Sequence, residues 1–241
     1  MLEIFVIQQL KTREIPTGII LLDRNLDGGI PKGSLVCVYA HPLAMPEVFL
    51  YHFSSVTKSF YFNTSRPAKY IKEDMERNSI SSENVTFVDV FTQYYLNEFG
   101  QFVVEDKYRD KEIFDFLNES MEKICDKNKD FVLVVDSVSF FLSLNVEWSI
   151  KEWLLNKLYI LSKENDTVVY AYLIKDLHSE DIVRRVLNIS DVVIDISFER
   201  AGERIINKFA IPKIRGKKPI LDYFRFYVDE GVQIDTAKDI A

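Results

Sequence analysis

Short continuous apolar runs recur along the chain, separated by segments whose apolar residues return every three or four positions. The runs Ser34–Tyr39, Phe60–Asn63, Val85–Val90, Phe131–Val135 and Thr167–Ile174 predict strands covered on both faces, because a strand with one wet face alternates apolar and polar residues instead. Between them, helical spacing predicts helices near Glu47–Lys58, Pro67–Asn78, Lys111–Lys127, Ser149–Lys163 and His178–Leu187. In the segment from Ser149 the apolar positions are Ile150, Trp153, Leu154, Leu158 and Leu161. An irregular stretch reaches Asp106, further strands fill Val192–Val228, and Leu2–Leu10 reads as a strand or arm ahead of the core. Strands alternating with helices imply an α/β fold of three layers, with a mostly parallel sheet and antiparallel strands at the C-terminal side. Residues 1–241 read as one domain, with 1–12 a candidate arm, and no internal repeat appears.

Where the first core strand meets its helix, the chain reads Ala40-His41-Pro42-Leu43-Ala44-Met45-Pro46-Glu47. Strand, loop and helix stand in the order of a phosphate-binding loop, GxxxxGK[ST]. That loop works because glycines let backbone N–H groups converge on phosphates, a lysine adds positive charge, and a hydroxyl holds Mg²⁺. Here the glycine positions are Ala40 and Met45, the lysine position is Pro46, and the hydroxyl position is Glu47. If a phosphate pocket has been filled in, Leu43 and Met45 should turn inward against apolar neighbours.

The flanks carry more. Upstream stands Ile15-Pro16-Thr17-Gly18-Ile19-Ile20-Leu21-Leu22-Asp23, then Leu26-Asp27-Gly28-Gly29-Ile30-Pro31-Lys32-Gly33-Ser34. Downstream, the apolar run from Phe131 ends in Asp136-Ser137, and Ile211-Pro212-Lys213-Ile214-Arg215-Gly216 precedes the strand Leu221–Val228 and Glu230-Gly231-Val232. This order resembles the RecA superfamily, in particular its KaiC-like branch, from about Pro16 to Val232. The resemblance implies that Asp136 and Ser137 match the Walker B end, whose carboxylate orients Mg²⁺ through water. It also implies that Lys213 and Arg215 match a pair reaching across a subunit interface to the phosphates of a neighbour's ATP. Lys213 and Arg215 flank Ile214, so on a strand they share one face. In catalytic members a glutamate ends the strand after the P-loop helix, whereas here that exit reads Ser65-Arg66.

Composition narrows the function classes. The formal net charge is −7, which gives no global field favouring nucleic acid. Cys37 and Cys125 have neither metal-ligand spacing nor a disulfide framework, and His41, His52 and His178 are scattered, so no metal site is expected. No run approaches the length of a membrane helix and no basic-then-apolar leader is present, so a cytoplasmic protein is expected. The reading is a pseudo-ATPase: no catalytic residue, no cofactor, and a role as an interaction or regulatory module. Expected partners are copies of itself or an active paralogue, with a peptide or protein segment adding to an edge strand at Leu2–Leu10 or at Tyr223, Phe224, Phe226 and Tyr227; the alternative is that both segments complete this chain's own sheet. The alternatives are a divergent ATP-binding protein, with ATP and Mg²⁺ as cofactors, and a recombination accessory protein.

Overall fold

The computed structural model describes residues 14–103 and 109–235, so the expected arm at Leu2–Leu10 lies outside the described residues. The glycine-rich segment forms β1 (Glu14–Ile15), the short helix α1 (Ile20–Asn25) and β2 (Ile30–Pro31), which pairs antiparallel with β1. Then follow β3 (Leu35–Ala40), a 3₁₀ turn (Pro42–Ala44), α2 (Pro46–Ser55), β4 (Ser59–Asn63), α3 (Ala68–Arg77), β5 (Val85–Asp89) and α4 (Val90–Tyr95). The second half holds α5 (Arg109–Lys127), β6 (Val132–Asp136), α6 (Val138–Ser143), α7 (Trp148–Glu164), β7 (Val168–Ile174) and α8 (Glu180–Ile189). It closes with an antiparallel meander of β8 (Val192–Ala201), β9 (Arg204–Ile214), β10 (Ile220–Asp229) and β11 (Gly231–Ile234).

These strands build a nine-stranded sheet in the order β11-β10-β9-β8-β3-β7-β6-β4-β5, parallel from β8 through β5. Strand periodicity divides its side chains between two cores. Val36, Val38 and Ala40 of β3 join Leu22, Phe49, Phe53, Ile71 and Met75 from α1, α2 and α3. Leu35 and Cys37 join Leu117, Met121, Phe141, Leu154, Leu158 and Val186 from α5 to α8. Burial on both faces is why the central strands read as unbroken apolar runs. Among the described residues no helix is long and apolar enough to cross a membrane.

Of the two readings of the late strand, the edge strand is the one that fails: β10 lies between β9 and β11 and completes this chain's own sheet, with Phe226 buried and Tyr223 and Tyr227 exposed. The four residues of β11, led in by Gly231 at φ +77°, are too short to stand out by periodicity. In α7, Trp153 is 42% exposed although it shares helical spacing with buried Leu154, Leu158 and Leu161. It sits on the flank of that stripe, where Lys157 places its ammonium 5.9 Å from the indole centroid.

Candidate functional site

The loop 41–47 leaves the C-terminal end of β3, whose neighbours β7 and β8 run parallel to it on either side. Because the chain crosses to opposite sides of β3, this end is the crevice where open α/β sheets bind ligands. The loop forms a tight turn. Pro42 opens a single 3₁₀ turn, Met45 adopts the left-handed conformation at φ +52°, and Pro46 stands at the first position of α2.

An inventory of the loop's N–H groups explains what this geometry does. The His41 N–H donates to the Ile196 carbonyl at 3.1 Å, and the Leu43 N–H to His41 Nδ1 at 3.1 Å. The Ala44 N–H donates to the His41 carbonyl at 3.0 Å, and the Met45 N–H to the Pro42 carbonyl at 3.4 Å. Pro42 and Pro46 have none to give. A phosphate needs converging free donors, and from His41 to Met45 each N–H has a protein acceptor. The His41 ring also packs edge-on against Phe198 of β8, centroids 4.7 Å apart, which ties the turn to the sheet.

Leu43 and Met45 do not fill the space, contrary to expectation: they are 61% and 39% exposed. Buried Ala44 and Pro46 turn inward instead. The turn's backbone conformation, not hydrophobicity, decides which side chains face the core, and two prolines fix that conformation.

Beside the loop, the ends of β4 and β6 meet. Asp136 ends β6, is 7% exposed, and accepts a 2.7 Å hydrogen bond from the Tyr61 hydroxyl. Its backbone carbonyl accepts from both the Thr64 N–H and the Thr64 hydroxyl at 2.9 Å, and the cis peptide that follows presents the Ser137 N–H to Thr64 Oγ1 at 3.0 Å. Ser137 Oγ accepts from the Phe140 N–H and so caps α6. Burial raises the Asp136 carboxyl pKa, with the Tyr61 hydrogen bond and Arg66 acting against it. Burial also raises that of Glu47, against its own N–H and Arg66.

The cations near this crevice are committed. Arg66, at the β4 exit, hydrogen-bonds the Tyr51 hydroxyl and pairs with Asp74 of α3. Lys175, after β7, bonds Asp195 at 2.6 Å and lies 5.0 Å from the Tyr39 ring centroid. Sequence reading singled out Asp136, Ser137 and Arg66 but missed Tyr51, Tyr61, Asp74, Lys175 and Asp195. A strand tyrosine carries no signal that its hydroxyl will meet a carboxylate 75 residues away.

Lys213 and Arg215 do share a face, but they stand at the other end of the sheet, where Ile214 pairs with Val192 at the start of β8. Lys213 donates to the carbonyls of Leu187 and Asn188 at 2.7 and 3.0 Å, and Arg215 to that of Asn188 at 3.3 Å. Arg215 also pairs with Asp191 at 3.3 Å. Both cations therefore sit where the last carbonyls of α8 concentrate partial negative charge.

The architecture is that of a solved structure, the KaiC-like protein PH0186 from the hyperthermophilic archaeon Pyrococcus horikoshii OT3. The match has a TM-score of 0.70 and 18% identity, and covers 92% of this chain and 99% of that one. A likeness at this identity establishes a shared RecA-like three-layer fold and nothing about activity. No curated protein matches the sequence. The model of a protein family, described as a family of unknown function (DUF7125), matches residues 14–241, and the chain belongs to that family.

Proposed function

We propose that this protein is a non-catalytic RecA-fold module that acts through protein contacts, as a subunit of its own oligomer or as the regulator of an active paralogue. The observation that carries this reading is the loop after β3, whose N–H groups from His41 to Met45 are taken up by protein acceptors. Two further observations support it. The position of the P-loop lysine is Pro46, and Arg66 and Lys175 are bound to Asp74 and Asp195 rather than turned free into the crevice. Glu47, at the hydroxyl position, adds a carboxylate where triphosphate would need positive charge.

Calorimetry with Mg²⁺–ATP and a phosphate-release assay test the proposal. No saturable isotherm at micromolar concentration and no hydrolysis above background are expected. A clear isotherm abolished by Asp136→Ala overturns the reading and makes the chain a divergent ATP-binding protein.

A further inference from the structure

Only the second half of β10 has β11 beside it. β11 faces Phe226–Asp229, and the ladder runs one step further, where the Asp235 N–H donates to the Arg225 carbonyl at 2.9 Å. Toward β9 the register jumps from Ile220 to Phe224. Leu221, Asp222 and Tyr223 therefore have no strand partner on either side among the described residues. Backbone groups in such a stretch are a template for a further strand.

The same stretch borders a groove of about 620 Å³ between β10 and the end of α1. The groove has two characters. Leu26, Ile214 and Ile220 give it apolar lining, and Asp27, Asp222 and Lys218 give it charge. The neighbouring Lys217 is taken by Glu14 at 3.0 Å, but Asp27, Asp222 and Lys218 make no ion pair among the described residues. Ile220 and Phe224 pack against the core under α1 and α2, and by strand alternation Asp222 shares their face. A segment that completes the ladder here must bring an apolar side chain and a cation, two positions apart.

We propose that residues 236–240, which follow β11 as Thr236-Ala237-Lys238-Asp239-Ile240, extend it along β10 and latch this groove. The antiparallel register decides which residues meet. Phe226 faces Ile234 and Asp235 bonds Arg225, so the next steps set Thr236 opposite Phe224, Lys238 opposite Asp222 and Ile240 opposite Ile220. Hydrogen-bonded and non-hydrogen-bonded steps alternate, so Tyr223 and Leu221 turn their N–H groups to the tail. Asp222–Lys238 and Ile220–Ile240 fall on the non-hydrogen-bonded steps, where side chains lie closest. Lys238 thus meets Asp222 with Asp27 in the same groove, and Ile240 covers Ile220. A slip of one residue would set Asp239 against Asp222 instead, and like charges directly opposite are destabilising. With the tail in place no other strand reaches this stretch of β10. With the tail displaced the stretch is open to one, so the latch regulates a strand-addition surface. The contact is made within one chain and involves no nucleotide, so it can fail without the interaction-module reading, and the reverse.

Amide exchange of the full chain, followed residue by residue, gives the first readout. The N–H groups of Leu221 and Tyr223 should be protected, and should exchange at least about tenfold faster in a variant that ends at Asp235. Lys238→Glu should release them as well, and adding Asp222→Lys should restore protection by exchanging the charges. Register is tested by cysteine pairs in a Cys125→Ser background. Asp222→Cys with Lys238→Cys should close within one molecule on mild oxidation, because non-hydrogen-bonded partners have Cα atoms about 4.5 Å apart. Asp222→Cys with Ala237→Cys should not, since Ala237 belongs to the other face. Exchange unmoved by loss of the tail, equal closure of the two cysteine pairs, or a cross-link that joins two molecules each overturns the latch. Protection that survives loss of the tail and vanishes on removal of residues 1–13 overturns it too, and gives the groove to the N-terminal segment.

Discussion

Acid should weaken this protein through His52, and the size of the effect follows from the structure. His52 lies on α2, the helix that the loop leads into. Its Nε2 accepts a 2.9 Å hydrogen bond from the Val232 N–H of β11. An Nε2 that accepts must be unprotonated, so the fold holds the neutral ring. Burial lowers its pKa from 6.5 to about 4, with the Gly18 contact acting weakly against this. A histidine with a depressed folded pKa contributes stability that is whole above the unfolded value and is lost as pH falls toward the folded one. At about 1.4 kcal/mol per pKa unit, the full loss below pH 4 is about 3 kcal/mol, of which about 2 kcal/mol falls between about pH 7.5 and pH 5.

Urea denaturation of the wild type and of His52→Gln at those two pH values isolates the contribution. Glutamine keeps an acceptor for the Val232 N–H but does not titrate. The difference in stability between the two proteins should therefore move by about 2 kcal/mol in favour of the variant as pH falls. Subtracting the variant removes the opposing trend from Glu47 and Asp136, whose raised carboxyl pKa values make the fold gain stability on acidification. A shift below about 0.5 kcal/mol would mean that the ring is solvated in the folded protein, and the reasoning would fail.

Asp136→Asn should raise stability at neutral pH by about 1 kcal/mol, because the raised pKa says that burial of the carboxylate outweighs the Tyr61 bond, which an amide oxygen can still accept. Urea titration checks it, and a loss beyond about 1 kcal/mol would show that the ionised form is the favoured one. Lys213→Ala should cost about 1 kcal/mol by releasing the carbonyls of Leu187 and Asn188 at the end of α8. Hydrogen exchange at the last turn of α8 should rise with it. Unchanged stability and protection would leave Lys213 free for a contact in trans.

The parts of the fold legible in the sequence were those where one physical demand dominates over a long enough stretch. β3, β6 and β7 are covered on both faces, and α5 and α7 are long enough to show their period. α1, α4 and α6 have six residues each, fewer than two helical turns, so period carries nothing there. The crevice was legible in its position, which follows from the order of strand, loop and helix. The inward side of the loop was not, because Met45 enters the left-handed region and turns Ala44 rather than Leu43 to the core. Tyr51, Arg66 and Asp74 come together only when α2, the β4 exit and α3 are assembled.

Each segment that carries the resemblance has a structural task in this chain. At Gly29, where φ is +134°, an added Cβ would lie 2.1 Å from the Ile15 carbonyl oxygen, so the β1–β2 pairing admits no side chain there. Asp136 receives the Tyr61 hydroxyl, and its carbonyl anchors Thr64, which joins the ends of β4 and β6. Lys213 and Arg215 close the end of α8. None of these tasks involves a phosphate, so folding alone is reason enough for these residues to be kept. The loop is the converse case. Its glycines, lysine and hydroxyl serve a bound phosphate in a P-loop, and folding requires only that strand and helix be joined with their N–H groups satisfied. Pro42, left-handed Met45 and Pro46 meet that requirement. Under the proposed function, a chain would keep the landmarks of the fold while the one segment whose sequence depends on a nucleotide drifted.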